Sequence, residues 1–439
     1  MTTLLLEKSK ATPEELASVL WSFLYFFALL AGYYVLRPIR DEMGLQLGAH
    51  ALQQLFTAVF VAMLLLVPLF GWLNRRFPRR QLLPWLYGFF VLDLLGFYAA
   101  FEAGGVQSVW VARVFFVWVA VFNLFAISVF WSFMADLFDT SQAKRLYGFI
   151  SAGGTLGALV GPVITASLVR VLGPKLLVLV SAALLVVAIV AISRLRDLAR
   201  RRELARAPGT GTADDGEARA LGGGLWSGLL DVLRSSYLLS ICLFLFSYAL
   251  LSTFLYFLSV EMLPLHITDS TRRTQLLAQI DLGVNVLALV LQVLAFKGLI
   301  TRFGTRVTLT LLPVVSVIGF ATLAVYPVLA VLVGFGVLRR AGEYALSKPA
   351  RETLFNVLPP DQKYKAKNVI DTLVHRTGDT SSGWIYAGLR GLGLGGVQIA
   401  GLSVPIAVAW VAVAWFLGKR ADEMQGAREA VAHPPSDLS

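Results

Sequence analysis

Apolar residues along this chain come in long runs, broken at intervals by short clusters of Gly, Pro and charge. The runs fall near residues 18–46, 52–73, 82–101, 107–134, 147–171 and 176–193, and again near 237–262, 275–298, 307–326, 328–347, 368–389 and 397–418. Each approaches or exceeds the roughly 20 residues that cross a bilayer as helix. The alternating pattern of a barrel strand is absent from them, and in hydrocarbon every backbone amide needs an internal partner, so the runs predict helices. The fold class expected is therefore all-α: a polytopic membrane protein of about 12 transmembrane helices. Residues 194–228 interrupt the series with a polar, Gly- and Arg-rich stretch that includes Ala207-Pro208-Gly209-Thr210-Gly211-Thr212, the composition of a linker. This divides the chain into a six-helix half at 1–193, a linker at 194–228, and a second six-helix half with a short tail at 229–439.

Composition agrees with a membrane protein, with 57% hydrophobic and 15% charged residues. The net charge of +11 would suggest nucleic acid in a soluble protein. Here, however, Lys and Arg gather in alternate loops: Arg75-Arg76-Phe77-Pro78-Arg79-Arg80, Lys144-Arg145, Arg194 to Arg206, Arg302 to Arg306, Lys363 to Lys367 and Lys419-Arg420. The positive-inside rule places those loops, and both termini, in the cytoplasm, with a bacterial inner membrane as the expected location and no nucleic-acid partner. The first run lacks the short apolar core and small-residue cleavage site of a signal peptide and is expected to be retained. Cys242, the single cysteine, lies inside an apolar run, so no intramolecular disulfide and no thiolate metal site is expected. No cofactor, metal or obligate protein partner is implied.

The halves repeat. Gly71-Trp72-Leu73-Asn74-Arg75-Arg76 after the second run matches Gly298-Leu299-Ile300-Thr301-Arg302-Phe303 after the eighth, and the same offset sets Arg113 opposite Arg340. Two six-helix halves with a basic loop between the second and third helix of each resemble the major facilitator architecture. Arg75 and Pro78 stand where that signature usually carries Asp and Gly.

Charge within the runs marks the candidate chemistry, because an ionisable group at membrane depth costs several kcal/mol unless it is paired, lines water or meets a ligand. The first run ends in Tyr33-Tyr34-Val35-Leu36-Arg37-Pro38-Ile39-Arg40-Asp41-Glu42-Met43-Gly44. One reading makes this the outer end of the helix, with the arginines snorkelling to lipid phosphates and Asp41 and Glu42 as solvated partners. In the other, Pro38 bends a longer helix, and Arg37 and Arg40 face a cavity where they grip an anion through paired hydrogen bonds. Asp136 and Lys144 bracket the end of the fourth run. Arg339 and Arg340 lie within the tenth, with Glu343 close enough along the helix to pair. Asp93 and Arg113 fall at similar depth in neighbouring runs and suggest a structural pair. Asp371, His375 and Asp379 share one face of the eleventh run with Arg376 beside it, either a helix held by ion pairs or a ligand-binding or proton-responsive face. Asp281, Asn285 and Gln292 form a polar stripe in the eighth, read as cavity lining. Gly153, Gly157 and Gly161 have the spacing of close helix packing. Gly391-Leu392-Gly393-Leu394-Gly395 has no strand before it and is a turn.

Three of these segments resemble the ATP/ADP antiporters of plastids and intracellular bacteria. Arg37, Arg40 and Asp41 align with the Arg-x-x-Lys-Asp that ends that family's first helix. Phe130-Trp131-Ser132-Phe133-Met134-Ala135-Asp136, with Ala143-Lys144-Arg145-Leu146-Tyr147 after it, is similar to its Phe-Trp-x-Phe-Ala-Asn-Glu stretch and Ala-Lys-Arg-Phe-Tyr run. Lys363-Tyr364-Lys365-Ala366-Lys367-Asn368-Val369-Ile370-Asp371 is similar to its Lys-x-Lys-Gly-Lys-x-x-Ile-Asp. The resemblance implies exchange of nucleotides, with Arg40 and Asp136 in place of the family's Lys and Glu. Its seventh-helix Glu falls on Tyr256, or on Glu261 with a register shift, and its eleventh-helix Lys on Asp379.

The expected function is secondary active transport by alternating access, probing Arg37, Arg40, Arg113, Asp136, Arg339, Arg340, Asp371, Arg376 and Asp379 as substrate contacts, with Asp41, Asp93, Lys144 and Glu343 in ion pairs or gates. The solute would be small and anionic, a nucleotide among the candidates. Proton-coupled symport of an unrelated solute and a non-transporting membrane sensor or scaffold are the alternatives. No Walker loop, Ser/His/Asp set or metal-ligand spacing points to an enzyme.

Overall fold

The computed structural model describes residues 12, 15–76, 79–104, 108–205, 232–359, 363, 366–367, 369–370 and 374–432, and the described residues are almost entirely helical. In chain order the helices are α1 Leu16–Arg76, α2 Arg79–Gly104, α3 Val109–Leu137, α4 Thr140–Ala205, α5 Ser236–His266, α6 Ser270–Leu291, α7 Lys297–Val325, α8 Leu329–Gly342, α9 Lys348–Leu354, α10 His375–Gly391 and α11 Gly396–Ala432. Single π-helical turns at Gln292–Phe296 and Glu343–Ser347 join α6 to α7 and α8 to α9.

Several of these helices are two spans in sequence. α1 turns at Gly48 (φ 79°), α4 at Gly173 (φ 70°) and α7 at Gly304 (φ 73°), each residue holding a positive φ that costs glycine little. These glycines fall in the gaps between apolar runs, so among the described residues seven long apolar stretches, three of them of 54, 62 and 56 residues with two runs each, account for ten of the twelve expected spans; the tenth and eleventh runs fall instead on the shorter helices α8 and α10. α4 also continues to Ala205, into the polar stretch expected to be linker. The rest of that linker, 206–228, lies outside the described residues.

The chain divides into two compact units, Met1–Ala213 with Ile267–Asn285, and Asp214–His266 with Val286–Ser439. In the first, α1 packs chiefly on α4 and α3, and α2 packs on α4 and α3. Phe26 stacks on Phe130 with centroids 4.1 Å apart. Two buried tyrosines of this core are satisfied internally: Tyr25 Oη donates to Tyr87 Oη (2.7 Å), which donates to the Ala126 carbonyl (3.2 Å). In the second unit α5 packs on α10 and α11, and α7 on α11, around fully buried Trp410 and Tyr386. Large apolar side chains such as Leu65, Trp85, Val171 and Leu294 stand on the outer surface. That apolar exterior suits lipid rather than water.

The α3–α4 corner shows how locally the turns are encoded. Gln142 N–H donates to Asp139 Oδ1 (2.8 Å) while Asp139 N–H donates to Gln142 Oε1 (3.1 Å), a reciprocal cap on α4 that Ser141 Oγ reinforces at 2.7 Å. These bonds, the one from the Gln142 backbone first, hold the Asp139 carboxyl below its ordinary range. Asp139→Ala should cost about 1 kcal/mol. Because the folded value is depressed, the cap's contribution is present above the unfolded carboxyl's range and fades as pH falls through the folded one. The variant and the parent should therefore melt closer together in acid than at neutral pH; an unchanged gap would disprove the carboxylate's part.

Candidate functional site

α1 passes through Pro38 with helical dihedrals and does not break until Gly48, so Arg37 and Arg40 lie inside a continuous helix and not at its outer end. Their side chains are only 15% and 16% exposed, and Asp41 and Glu42 are buried rather than solvated. All four charges are met within the first unit. Arg40 Nη2 and Nε donate to Asp41 Oδ1 at 2.5 and 3.0 Å. Arg37 Nε lies 3.6 Å from Asp281 Oδ2 and 3.9 Å from Asp41 Oδ2, with its guanidinium 5.7 Å from the Tyr34 ring centroid.

Glu42 takes the strongest contact. Arg273 Nη2 and Nε donate to its two oxygens at 2.6, 2.9 and 3.0 Å, while Nη1 donates to the carbonyls of Ile267 and Thr268, both at 2.9 Å. Asp269 caps α6 through the Arg272 N–H (2.9 Å), which fixes where Arg273 begins its turn of helix. The sequence reading had no place for Arg273. A signal was present, since Arg272-Arg273 is a basic pair in a loop that the positive-inside pattern assigns to the outer face, where basic residues are sparse. The described contacts of the first unit thus set Arg37 and Arg40 against Asp41 and Asp281, and Arg273 against Glu42.

α6 also corrects the reading of its polar stripe as cavity lining. Asp281 is 2% exposed, and Asn285 Nδ2 donates to the Ala158 carbonyl of α4 at 2.7 Å, as Gln275 Nε2 does to Ala166 at 2.8 Å. Only Gln292 of that stripe is exposed.

Asp93 and Arg113 do not pair. Asp93 Oδ2 accepts from Trp118 Nε1 at 2.8 Å, and the Arg113 guanidinium lies 5.3 Å from the Trp110 ring centroid on its own helix. Equal depth does not fix rotation about the helix axis, and the indole is the donor that faces the carboxylate. Asp136 and Lys144 are exposed, and it is Arg145 that forms the nearby ion pair, to Glu15 at 3.0 Å.

In the second unit Arg339 is 1% exposed and turns toward α5: Nη1 donates to Ser252 Oγ (2.9 Å), Nη2 to the Tyr248 carbonyl (3.0 Å), and the guanidinium lies 5.0 Å from the Tyr248 ring centroid. It forms no ion pair with Glu343, contrary to the spacing argument. The backbone explains part of this, because Glu343 opens a π turn in which the Lys348 N–H reaches back five residues to the Glu343 carbonyl. Arg340, Arg376 and Asp379 are partly buried. Asp371 lies outside the described residues, as does the side chain of His375. Glu261, the alternative to Tyr256, pairs with Arg390 of α10 at 3.1 Å.

Comparison with known proteins follows from this fold. The sequence pattern described as Major Facilitator Superfamily matches residues 16–347. The chain belongs to the Major Facilitator Superfamily. It is accordingly an integral membrane transporter, and its fold is that of solved transporters in the same class. A bacterial homologue of the iron transporter ferroportin, in an inward-facing state, matches with a TM-score of 0.62 at 18% identity, over 93% of this chain and 98% of that one. The POT family transporter PepTSo matches at 0.63 and 14%, over 93% and 98%. The nucleoside transporter NupG matches at 0.58 and 11%, over 92% and 98%. At such identities the likeness to these superfamily structures is one of fold alone. No curated protein matches the chain.

Proposed function

We propose that this protein is a secondary active transporter that works by alternating access and exchanges a nucleotide or another phosphorylated, anionic solute across a bacterial inner membrane, with both termini in the cytoplasm. The observation that carries this reading is the burial of Arg37 and Arg40 within the continuous apolar helix α1, before its turn at Gly48. A guanidinium there is costly, and its planar fork is suited to phosphate or carboxylate. The three antiporter-like motifs narrow the anion to a nucleotide-like solute. Because the arginines of the first unit are already met by carboxylates, binding exchanges one ion pair for another, and the desolvation cost of the arginines is met in the empty as well as the loaded carrier.

Arg40→Ala in proteoliposomes preloaded with ADP should lower uptake of labelled ATP by at least about tenfold, the loss expected when one charge-assisted contact worth roughly 1.5–3 kcal/mol is removed. Arg40→Lys, which keeps the charge but not the fork, should lie between. Unchanged uptake in a folded Arg40→Ala protein would remove Arg40 from the site.

A further inference from the structure

α4 does not end where its apolar run ends, at residue 193. It continues as helix to Ala205, and the continuation carries Arg194, Arg196, Arg200 and Arg201. Arg194, Arg200 and Arg201 are exposed and Arg196 is half-buried. Among the described residues none of the four has a hydrogen bond, ion pair or ring contact. Asp197 stands three residues from Arg194 and Arg200 and four from Arg201, the spacing at which helical ion pairs form, yet among the described residues it pairs with none of them. The exit of α11 is built differently. There Lys419 Nζ and Arg420 Nη1 lie 3.8 and 3.9 Å from the Glu423 carboxylate, and the Arg420 guanidinium lies 5.9 Å from the Phe416 ring centroid.

Rotation and depth say what the four arginines can meet. At about 100° per residue they fall within an arc of about 160° around the helix. Leu195, which is fully buried, and the half-buried Leu198 and Ala199 lie on the opposite side. Arg194 directly follows the apolar run, and Arg201 lies about 10 Å further along the axis at 1.5 Å per residue. The headgroup layer outside the hydrocarbon is about 5–8 Å thick in each leaflet. Every Cα–Cβ bond of a helix tilts toward its N-terminus, and α4 leaves the bilayer by its C-terminal end, so these side chains lean back toward the lipid. The arginine stem adds the remaining reach, which brings all four guanidiniums to the level of the lipid phosphates.

We propose that Arg194, Arg196, Arg200 and Arg201 form a binding surface for the headgroups of anionic phospholipids. The proposal rests on the membrane location of the chain and not on the identity of its solute. A guanidinium donates two parallel hydrogen bonds to a phosphate, and an anionic lipid offers that phosphate without the ammonium group by which a zwitterionic lipid offsets its charge. A soluble acidic partner has the same sign of charge. The place of Arg194 favours lipid, because a macromolecule would have to enter the headgroup layer to reach it. α4 packs along α1, so headgroups bound here steady the helix pair that carries Arg37 and Arg40.

The test is native mass spectrometry of the purified full chain, titrated in detergent with dioleoylphosphatidylglycerol and with dioleoylphosphatidylcholine. The parent should prefer the anionic lipid by at least about tenfold, since each basic residue near an anionic surface contributes about fivefold. The preference should shrink as salt is raised. Arg194→Gln/Arg196→Gln/Arg200→Gln/Arg201→Gln should abolish it, whereas Lys419→Gln/Arg420→Gln, which removes two charges already met by Glu423, should leave it unchanged. An undiminished preference in the quadruple variant overturns the proposal. A like loss in Lys419→Gln/Arg420→Gln overturns it as well, because net charge would then be the cause. A parent that prefers neither lipid also overturns it, and retention of a polyglutamate peptide through the four arginines would then assign the surface to a soluble acidic partner. Should the quadruple variant fail to fold, Arg200→Gln/Arg201→Gln, the pair furthest from the hydrocarbon, decides: a fall in preference of about fivefold or more supports the proposal, and a smaller one overturns it.

Discussion

Gly157→Leu is expected to yield no folded first unit, seen as loss of the monodisperse peak and of any cooperative melt in detergent. α4 lays a glycine face against the backbone of α1, so closely that a methyl group has nowhere to go. A Cβ on Gly157 would sit 2.9 Å from the Ala31 nitrogen and closer still to the Phe27 carbonyl oxygen. One on Gly161 would sit 2.7 Å from both the Ala31 carbonyl oxygen and Tyr34 Cβ. The obstacles are main-chain atoms of a packed helix, which cannot rotate aside as a side chain would. Even Gly157→Ala should cost about 1–3 kcal/mol, and leucine more, because it must push α1 bodily away. The seam runs up to the site, since Gly161 meets Tyr34, which begins the segment that carries Arg37 and Arg40. Gly148→Ala on the same helix is the control. Nothing lies within 4 Å of its added Cβ, so its melt should be unchanged or slightly raised. Equal melts for Gly157→Ala and Gly148→Ala would show that α1 and α4 do not approach as described.

That seam was legible in the sequence because spacing alone encodes it: small residues every four positions put one narrow stripe along a helix. The spans were legible for the same kind of reason. Gly48, Gly173 and Gly304 sit in the gaps between apolar runs, and Gly173 is followed by Pro174, the order of residues that ends one helix and begins the next. Gly393, with φ 87°, likewise makes the glycine-rich stretch between α10 and α11 a turn.

The site was legible only by halves. Its charges on α1 stand out because hydrocarbon makes any charge conspicuous, but their partners do not follow from the sequence. Arg273 and Glu42 are 231 residues apart, and no local rule links them. Asp281 was visible as a polar residue in a helix, yet whether such a residue meets water or an arginine depends on which way the helix is turned. The same indeterminacy defeated the expected Asp93–Arg113 pair. For Glu343 the difficulty is the π turn, a hydrogen-bond register that apolar periodicity does not reveal. Sequence therefore identified where charge had to be compensated, and packing decided by what.

The Arg273–Glu42 pair should show the largest effect of any single charge in the first unit. Arg273→Met removes three hydrogen bonds from Glu42, whose side chain is 3% exposed, and leaves that carboxylate without its counter-charge. Breaking a buried pair from one side costs about 3–5 kcal/mol. The two carbonyls that Arg273 also serves, Ile267 and Thr268, belong to a loop where water can replace it, so most of the loss should come through Glu42. Glu42→Gln should be milder, because it keeps the shape and an acceptor oxygen. The double variant Glu42→Gln/Arg273→Met should then melt above Arg273→Met alone, with a coupling on the order of 0.5–3 kcal/mol. The comparison separates a pair that matters through its charge from one that matters through packing. If the double variant melts at or below the sum of the two single losses, the penalty lies in the lost side-chain volume of Arg273, and the ion pair is not what holds α1 to the start of α6.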